Sequence, residues 1–178
     1  KLEPIHPIAA TVEQVQRVHT ADYIERIRSM SADTGGNAGE SAPFGPGSYE
    51  IALLAAGGCI TAAHTILDGL VTNAYALVRP CGHHAEADRG RGFCIFSNVA
   101  ITVKDILSRD DISRVAVVDW DVHHGNGTES VFYDNPNVLT ISIHEDSLYP
   151  YNRGAIEDIG EGAGEGFNIN IPLPPGCG

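Results

Sequence analysis

The sequence of 178 residues is long enough for one domain with a substantial hydrophobic core. Hydrophobic residues make up 43% and charged residues 19%, which is ordinary for a globular protein and argues against a disordered or fibrous chain. The formal net charge of −12 argues against a nucleic-acid partner, because binding to phosphates depends on lysine and arginine. It is typical of a solvated acidic surface, which we favour, and would also suit the attraction of cationic substrates.

Membrane and disulfide classes are also disfavoured. We find no apolar run of membrane length and no signal peptide, so no membrane partner is expected. None of the four cysteines belongs to a Cys-x-x-Cys pair, so we expect reduced thiols in a cytoplasmic protein rather than a disulfide framework or a zinc ribbon. The chain starts at Lys1 without methionine and stops after a proline-rich segment, so we interpret it as part of a longer polypeptide.

The first third of the chain is predicted to be helical, with one long loop. Thr11 and Thr20 are predicted to cap two short helices, because their hydroxyls can accept hydrogen bonds from amides of the first turn. Residues 31–47 are rich in glycine and proline and predict a loop. Ser48 is predicted to cap a long helix to about Leu70, and small residues at 56–58 would let another segment approach it closely.

Strands and helices alternate in the remainder. Apolar runs predict strands at residues 74–78, 115–118 and 138–143, and the run at 115–118 is typical of a buried parallel strand. The alternation Phe-Asn-Ile-Asn-Ile predicts a half-exposed strand at 167–171. Residues 99–107 predict an amphipathic helix, and residues 129–133 a helical turn. Alternation of this kind predicts an α/β fold with a parallel sheet.

Polar residues follow the predicted strand at 115–118. Asp119, Asp121 and His123 occupy alternate positions and would share one face of an extended chain. A carboxylate and an imidazole two residues apart could form half of a zinc site. The alternative is that the acids cap the next turn and His123 is an ordinary loop residue.

A second histidine pair, His83-His84, lies in the predicted loop at 81–98. Two adjacent histidines in a loop can reach one cavity, and a carboxylate or amide partner would fix the tautomer of each. Asp119 and Asn126 are candidate partners. The alternative is that one histidine is structural and bonds to a backbone carbonyl. Polar residues at 142–146 form a third strand end, and strand ends converge at active sites of α/β proteins.

Three motifs then occur in a fixed order. They are Leu-Val-Arg-Pro-Cys-Gly-His-His-Ala-Glu at 77–86, Gly-Phe-Cys-Ile-Phe-Ser-Asn-Val-Ala at 92–100, and Val-Asp-Trp-Asp-Val-His-His-Gly-Asn-Gly-Thr at 118–128. Together they strongly resemble the zinc-dependent histone deacetylase superfamily, and the third resembles its class II branch, which includes bacterial histone deacetylase-like amidohydrolases. The resemblance implies a three-layer arginase/deacetylase-type fold with a parallel sheet flanked by helices. Residues 1–178 would be part of one catalytic domain, without its N-terminal strand and its C-terminal portion.

The resemblance also implies roles for the polar residues. Asp121 and His123 match two zinc ligands, and His84 matches a general base. His83 would contribute hydrogen bonding and electrostatics, with Asp119 as its partner, and Asn126 would be the partner of His84.

Substrate and potassium sites are implied in the same way. Gly92, Phe93 and Tyr149 match residues that hold an acylated lysine in a narrow tunnel. One structural potassium ion would be bound by the residues Asp119, Asp121, His123, Ser142 and Ile143. Part of a second potassium site would be Phe132, Asn135 and Val138.

The implied reaction is zinc-dependent hydrolysis of N-acetyl amides such as acetyl-lysine, with water activated by a histidine base. The family's third zinc ligand and its later tyrosine are absent from the chain, so this fragment alone is expected to be inactive. Cys81 replaces a proline of the motif and is interpreted as an inert small residue or, less favoured, an oxidisable thiol. An arginase-like two-metal site is disfavoured because Gly125 occupies the position of its last carboxylate. An acetylpolyamine amidohydrolase, a non-catalytic acyl-lysine-binding domain and a homo-oligomer stay open.

Overall fold

The computed structural model describes residues 3–177 and begins with two capped helices. Helix α1, Val12–Gln16, has the predicted Thr11 cap, and the Gln14 side chain accepts from the Thr11 amide in return. Helix α2, Ala21–Ala32, has the predicted Thr20 cap. The predicted loop that follows contains three two-residue strands, β1 at Gly36–Asn37, β2 at Gly39–Glu40 and β3 at Pro43–Phe44.

Helix α3, Ser48–Leu67, is the longest element of the described chain. Its N-cap is Gly47, with φ of +76°, so the prediction that Ser48 caps it was wrong. The small residues do allow close approach, because a Cβ on Gly57 would overlap the Ile8 carbonyl. The expectation that no apolar run reaches membrane length was also wrong, since α3 is long and apolar enough to cross a membrane, judged by length and composition only. In this fold its main neighbour is helix α4, Asn98–Ile106.

A parallel sheet carries the second half of the chain. Strands β5, Val115–Asp119, β6, Val138–Glu145, and β7, Asn168–Leu173, pair in the order β5-β6-β7. Helix α5, Asn126–Phe132, connects β5 to β6 and packs on β6. The short strand β4, Gly90–Arg91, pairs with β2. Asp119 lies opposite Ser142 in the register, so the polar ends of neighbouring strands meet.

Two strand predictions need correction. Residues 74–78 form no strand, and Leu77 is 84% exposed. The reason is the lack of a hydrogen-bonding partner: an open groove of about 400 Å³ separates Ala76 and Val78 from β5. β5 is not buried on both faces either, because this groove leaves Val118 48% exposed.

The interior of the described chain has an apolar part and a polar part. Tyr23, Ile27 and Phe96 are fully buried in the core between the helices and the 95–101 segment. On the sheet, the alternation predicted for β7 is present, with Asn168 and Asn170 on its buried side. The polar part therefore lies next to the strand ends that carry the candidate site.

Candidate active site

The loop with the two histidines is fixed to the start of α5. The backbone amides of Gly127 and Thr128 both donate to the His83 carbonyl, at 2.8 and 3.2 Å. A Cβ on Gly127 would overlap the carbonyls of Ala85 and His83, so this close approach requires glycine. The structure thereby brings the tandem histidines to the carboxyl end of β5.

His83 is paired with a carboxylate. Its Nδ1 lies 2.7 Å from Asp119 Oδ2, and Asp119 Oδ1 accepts from the Asp121 amide at 3.0 Å. Burial lowers the pKa of His83, but the hydrogen bond and charge of Asp119 outweigh burial and raise it above the ordinary value. A Cβ on Gly125 would lie 2.5 Å from Asp119 Oδ2, so this position has no room for the carboxylate of a two-metal site.

His84 is paired with an amide. Its Nδ1 lies 2.8 Å from Asn126 Oδ1, while Asn126 Nδ2 donates to Glu86 Oε1 at 2.9 Å. Because Nδ2 must face the Glu86 carboxylate, Oδ1 faces His84 and accepts its Nδ1 hydrogen, which leaves the Nε2 lone pair free. Burial, assisted by the nearby charge of His83, lowers the pKa of His84 to about 4.

The two imidazoles therefore differ in their affinity for a proton although their ring centroids are only 4.0 Å apart. His83 has a carboxylate partner that favours its protonated form, and His84 has a neutral partner that does not. One ring is suited to hold a proton and the other to accept one.

The candidate zinc ligands lie beside these rings. Asp121 Oδ1 is 3.0 Å from His123 Nδ1 and 3.9 Å from His83 Nε2, and the ring of His123 is 5.9 Å from that of His84. Although burial raises the pKa of Asp121, the hydrogen bond from the His123 amide and the charge of His83 lower it overall, so Asp121 is ionised at neutral pH.

These two donors fit part of a zinc site. Tetrahedral zinc with bonds of about 2.0–2.2 Å holds neighbouring N and O donors about 3.4 Å apart, close to the separation of Asp121 Oδ1 and His123 Nδ1. Their side chains are 49% and 39% exposed, so the position between them is open. Among residues 3–177 no cluster of three or more potential ligands occurs, and the described chain supplies two corners of the site.

The predicted substrate residues border His84. The ring of Tyr149 stands nearly perpendicular to that of His84, with centroids 5.1 Å apart. A Cβ on Gly92 would lie 2.9 Å from Tyr149 Cε1 and would overlap the His84 ring, so these rings require glycine there. Phe93 is 63% exposed next to Gly92, with φ of +65°.

The predicted potassium ligands are also near one another. Asp119 and Ser142 are neighbours across β5 and β6, and Ile143 follows on β6. Phe132 ends α5, Val138 begins β6 and Asn135 lies in the turn between them, where its amide donates to the Phe132 carbonyl at 2.9 Å. Binding of potassium at either place stays a prediction.

Sequence reasoning missed two groups of residues that support the site. Glu86 orients Asn126 as described, and it has no distinguishing pattern in the sequence. The second group is a buried carboxylate, Glu129, whose Oε2 accepts from Asn168 at 2.7 Å and from Asn170 at 2.8 Å, and lies 3.2 Å from His124 Nε2. The Phe-Asn-Ile-Asn-Ile alternation was the signal that could have indicated it, had the asparagine face been taken as the buried one.

Comparisons with known proteins agree with this arrangement. The chain is 50% identical over 169 residues to the histone deacetylase-like amidohydrolase of Pseudomonas aeruginosa, covering 95% of this chain and 44% of the relative. It is 45% identical over 174 residues to a probable deacetylase of Archaeoglobus fulgidus, covering 98% of this chain and 48% of the relative. The chain thus spans about half the length of these relatives.

The solved crystal structure of the HDA15 HD domain has the same fold. It superposes with a TM-score of 0.90 at 36% identity, over 98% of this chain and 51% of that one, which confirms the predicted arginase/deacetylase-like α/β fold. The sequence profile of the histone deacetylase domain matches residues 1–178. With the geometry described above, these matches establish that the chain belongs to the histone deacetylase family.

Proposed function

We propose that the protein to which this chain belongs is a zinc-dependent hydrolase of N-acetyl amides such as acetyl-lysine, of the class II branch. The observation that carries the proposal is the pair of adjacent imidazoles with opposite charge preferences, His83 and His84, beside the two metal donors Asp121 and His123. Family membership supports an amide hydrolase, in which His84 would be the proton acceptor and His83 a positive charge beside it.

The residues of the chain would divide the chemistry between them. Zinc held by Asp121, His123 and a donor outside the described residues would act as a Lewis acid toward the acyl carbonyl. His84 Nε2 would take a proton from the attacking water, and the resulting imidazolium would return it to the departing amine. His83 would supply a fixed positive charge beside the developing negative charge.

The remaining predicted features belong to the same proposal. Gly92, Phe93 and Tyr149 would line the path of the acylated side chain, because Gly92 and Tyr149 lie against the His84 ring and the exposed Phe93 follows Gly92. Potassium ions would stabilise the strand ends through the oxygen atoms of Asp119, Ser142 and Ile143 and of the turn at 132–138. We further propose a cytoplasmic protein whose substrate is an acetylated lysine or an acetylated polyamine.

The test is acetate release from an acetyl-lysine peptide by the longer polypeptide that contains residues 1–178. We expect activity to disappear after chelation and to return with zinc. Asp121→Ala and His123→Ala should each lower kcat/KM by at least about 100-fold, because each removes a metal donor. Asp110→Ala, at an exposed acid that precedes β5 whereas Asp121 and His123 follow it, is the matched control and should behave as the unsubstituted protein. Undiminished turnover in the chelated protein, or in both ligand variants, would contradict the proposal.

One observation favours a polyamine as a second candidate substrate. The net charge of −12 would attract a polycation more strongly than a neutral peptide. A higher kcat/KM for an acetylated polyamine than for the peptide, with a difference that shrinks as salt is added, would favour it. Saturable binding of the acetylated peptide without acetate release would instead indicate a non-catalytic binding domain. The 178-residue chain alone is expected to show no turnover, because its described residues supply two metal donors.

A further inference from the structure

Two cysteines meet beside the histidine pair. Cys81 Sγ lies 3.5 Å from Cys94 Sγ, and both are free thiols. Cys81 comes two residues before His83, and Cys94 follows Phe93, so the two sulfur atoms meet where the two loops beside His84 contact each other. This proximity is a property of the fold, because the residues are 13 positions apart in the sequence.

The two thiols differ in environment. Cys94 is fully buried, where its sulfur lies 3.5 Å from both the His84 amide and the Gly92 carbonyl oxygen. Cys81 is partly exposed and lines the open groove beside β5, so a small solute can reach it. Cys81 is also close enough to His83, which lines the same groove, and to Arg79 for their positive charges to act on its thiol.

These environments divide the chemistry of the pair. The hydrogen bond from Cys94, together with the charges of His83 and Arg79, outweighs burial and lowers the pKa of Cys81 to about 6. The pKa of Cys94 is raised, because Cys94 donates to Cys81 and is buried. Cys81 therefore has the properties of an attacking thiolate, and Cys94 those of the thiol that reacts with it afterwards.

We propose that Cys81 and Cys94 form an oxidation site that hydrogen peroxide converts reversibly into a disulfide. The Cys81 thiolate attacks one peroxide oxygen; the O–O bond breaks, the sulfur becomes a sulfenic acid and hydroxide leaves. The sulfur of Cys94 then attacks the Cys81 sulfur, the S–O bond breaks, and water leaves with the Cys94 proton. In total two thiols are oxidised, one peroxide is reduced, and two waters form.

The disulfide would change the geometry around His84. A bond of about 2.05 Å requires the sulfur atoms to move together from 3.5 Å, and this movement would pull on the loops at 81–84 and 92–94 that carry them. Both thiols also lie near the Gly92 carbonyl oxygen, at 3.8 Å for Cys81 and 3.5 Å for Cys94, and oxidation removes both S–H donors. Because Gly92 has no spare room against His84 and Tyr149, the shift would displace these rings and lower activity. This last consequence rests on the proposed function, whereas the oxidation does not.

The first experiment reads the bond itself. The chain carrying Cys59→Ser and Cys177→Ser is treated with hydrogen peroxide, blocked with an alkylating reagent and digested for mass spectrometry. We expect one intramolecular cross-link between the peptides with Cys81 and Cys94, removed by dithiothreitol. Adding Cys94→Ser should leave a Cys81 sulfenic acid that dimedone traps, and adding Cys81→Ser should slow oxidation of Cys94 at least about tenfold. A missing cross-link, or oxidation of Cys94 at the same rate without Cys81, would overturn the proposal.

The second experiment separates this site from the proposed function. In the longer polypeptide, peroxide should lower acetate release, dithiothreitol should restore it, and Cys81→Ser should be insensitive to the same peroxide dose. Cys59→Ser, which removes a half-buried thiol of raised pKa, is the matched control and should stay sensitive. If the polypeptide releases no acetate at all, the proposed function fails while the cross-link still decides the oxidation site. Activity that is unchanged in a fully cross-linked sample would overturn the claim that the disulfide disturbs His84.

Discussion

The two parts of the interior are built on different principles. Between the helices, Tyr23, Ile27 and Phe96 are buried against other apolar side chains. Against the sheet, the buried groups include Glu129, Asn168 and Asn170, joined by hydrogen bonds of 2.7 and 2.8 Å. The first part removes apolar surface from water, and the second removes polar surface, which costs free energy unless every group has a partner.

The difference shows which part stabilises the fold and which part positions the site. The polar part begins one residue after the candidate ligand His123, because His124 pairs with Glu129 inside it. An apolar interior could not hold that segment through directed hydrogen bonds. We therefore expect substitutions in the apolar core to cost the most stability, and substitutions near the site to act through hydrogen bonds and charge.

Phe96→Ala is the largest expected disruption of the apolar core. Phe96 is fully buried and touches Tyr23 and Tyr49 edge-on, so truncation leaves a cavity and should lower the free energy of unfolding by about 3–5 kcal/mol. Urea unfolding of the chain measures it. Phe93→Ala, at a 63% exposed position, is the matched control and should cost less than about 1 kcal/mol. If both variants lower the free energy of unfolding equally, burial in the apolar core does not account for the stability of the chain.

Glu129→Gln tests the polar part with almost no change of volume. The new amide places an NH₂ or an oxygen where Oε2 now accepts from Asn168, Asn170 and His124, and at least one donor loses its charged acceptor. We expect a loss of about 3 kcal/mol at pH 7 by urea unfolding. Glu161→Gln, at an exposed acid, should change little. If Glu129→Gln leaves the free energy of unfolding unchanged or raises it, burial of the Glu129 charge destabilises the fold by at least as much as its hydrogen bonds stabilise it.

Much of the sheet and the grouping of the site residues could be predicted from the sequence. Strands β5, β6 and β7 are close to their predicted ranges, because apolar runs between turn residues leave few alternatives. Given parallel strands, alternate polar residues after β5 must lie at one edge, and Asp121 does lie 3.9 Å from His83. What these residues bind and catalyse stays a prediction that geometry alone does not test.

The failures come from partners that lie far apart in the sequence. Residues 74–78 have the composition of a strand, but a strand also needs a neighbour, and the described chain offers none across the groove. The burial of Asn168 and Asn170 depends on Glu129, about 40 positions earlier, so no local pattern reveals it. Glu86 was missed for the same reason, since its role depends on Asn126.

Acidification should destabilise the apolar part of the interior through His19. This ring is 2% exposed between Tyr23 and Phe96, its Nε2 accepts from the Ser97 amide, and burial lowers its pKa from 6.5 to about 4. Below pH 6.5 the unfolded chain binds the proton more readily than the folded chain. The free energy of unfolding therefore decreases as the pH is lowered from 6.5 to about 4. Through this single group, a change from pH 7 to pH 5 should lower the free energy of unfolding by about 2 kcal/mol.

His19→Gln isolates that contribution. Glutamine can still accept from the Ser97 amide but does not titrate, so the variant should lose about 2 kcal/mol less than the unsubstituted chain between pH 7 and 5. Urea unfolding at several pH values measures both. Parallel stability curves for the two proteins would contradict the assignment to His19.

Glu86→Ala is the smallest expected change and the one closest to the site. Glu86 Oε1 accepts from Asn126 Nδ2 at 2.9 Å, and this bond turns Asn126 Oδ1 toward His84 Nδ1. Without it, Asn126 keeps a longer bond of 3.3 Å from Nδ2 to the His84 carbonyl and can turn its NH₂ toward the ring more easily. The preference of His84 for its Nδ1–H tautomer should then fall by about 1 kcal/mol, about fivefold in the tautomer ratio.

The ring nitrogen shifts of His84 in an NMR spectrum report that ratio. Glu40→Ala is the matched control, because Glu40 bonds to Arg91, as Glu86 does, but has no contact with Asn126 among its hydrogen bonds. We expect it to leave the His84 tautomer unchanged. If Glu86→Ala also leaves the ratio unchanged, the Asn126 amide is held by the His84 carbonyl alone. If both variants shift it equally, the arginine and not the Glu86 carboxylate controls the base, and the polar part of the interior would act through charge more than through directed hydrogen bonds.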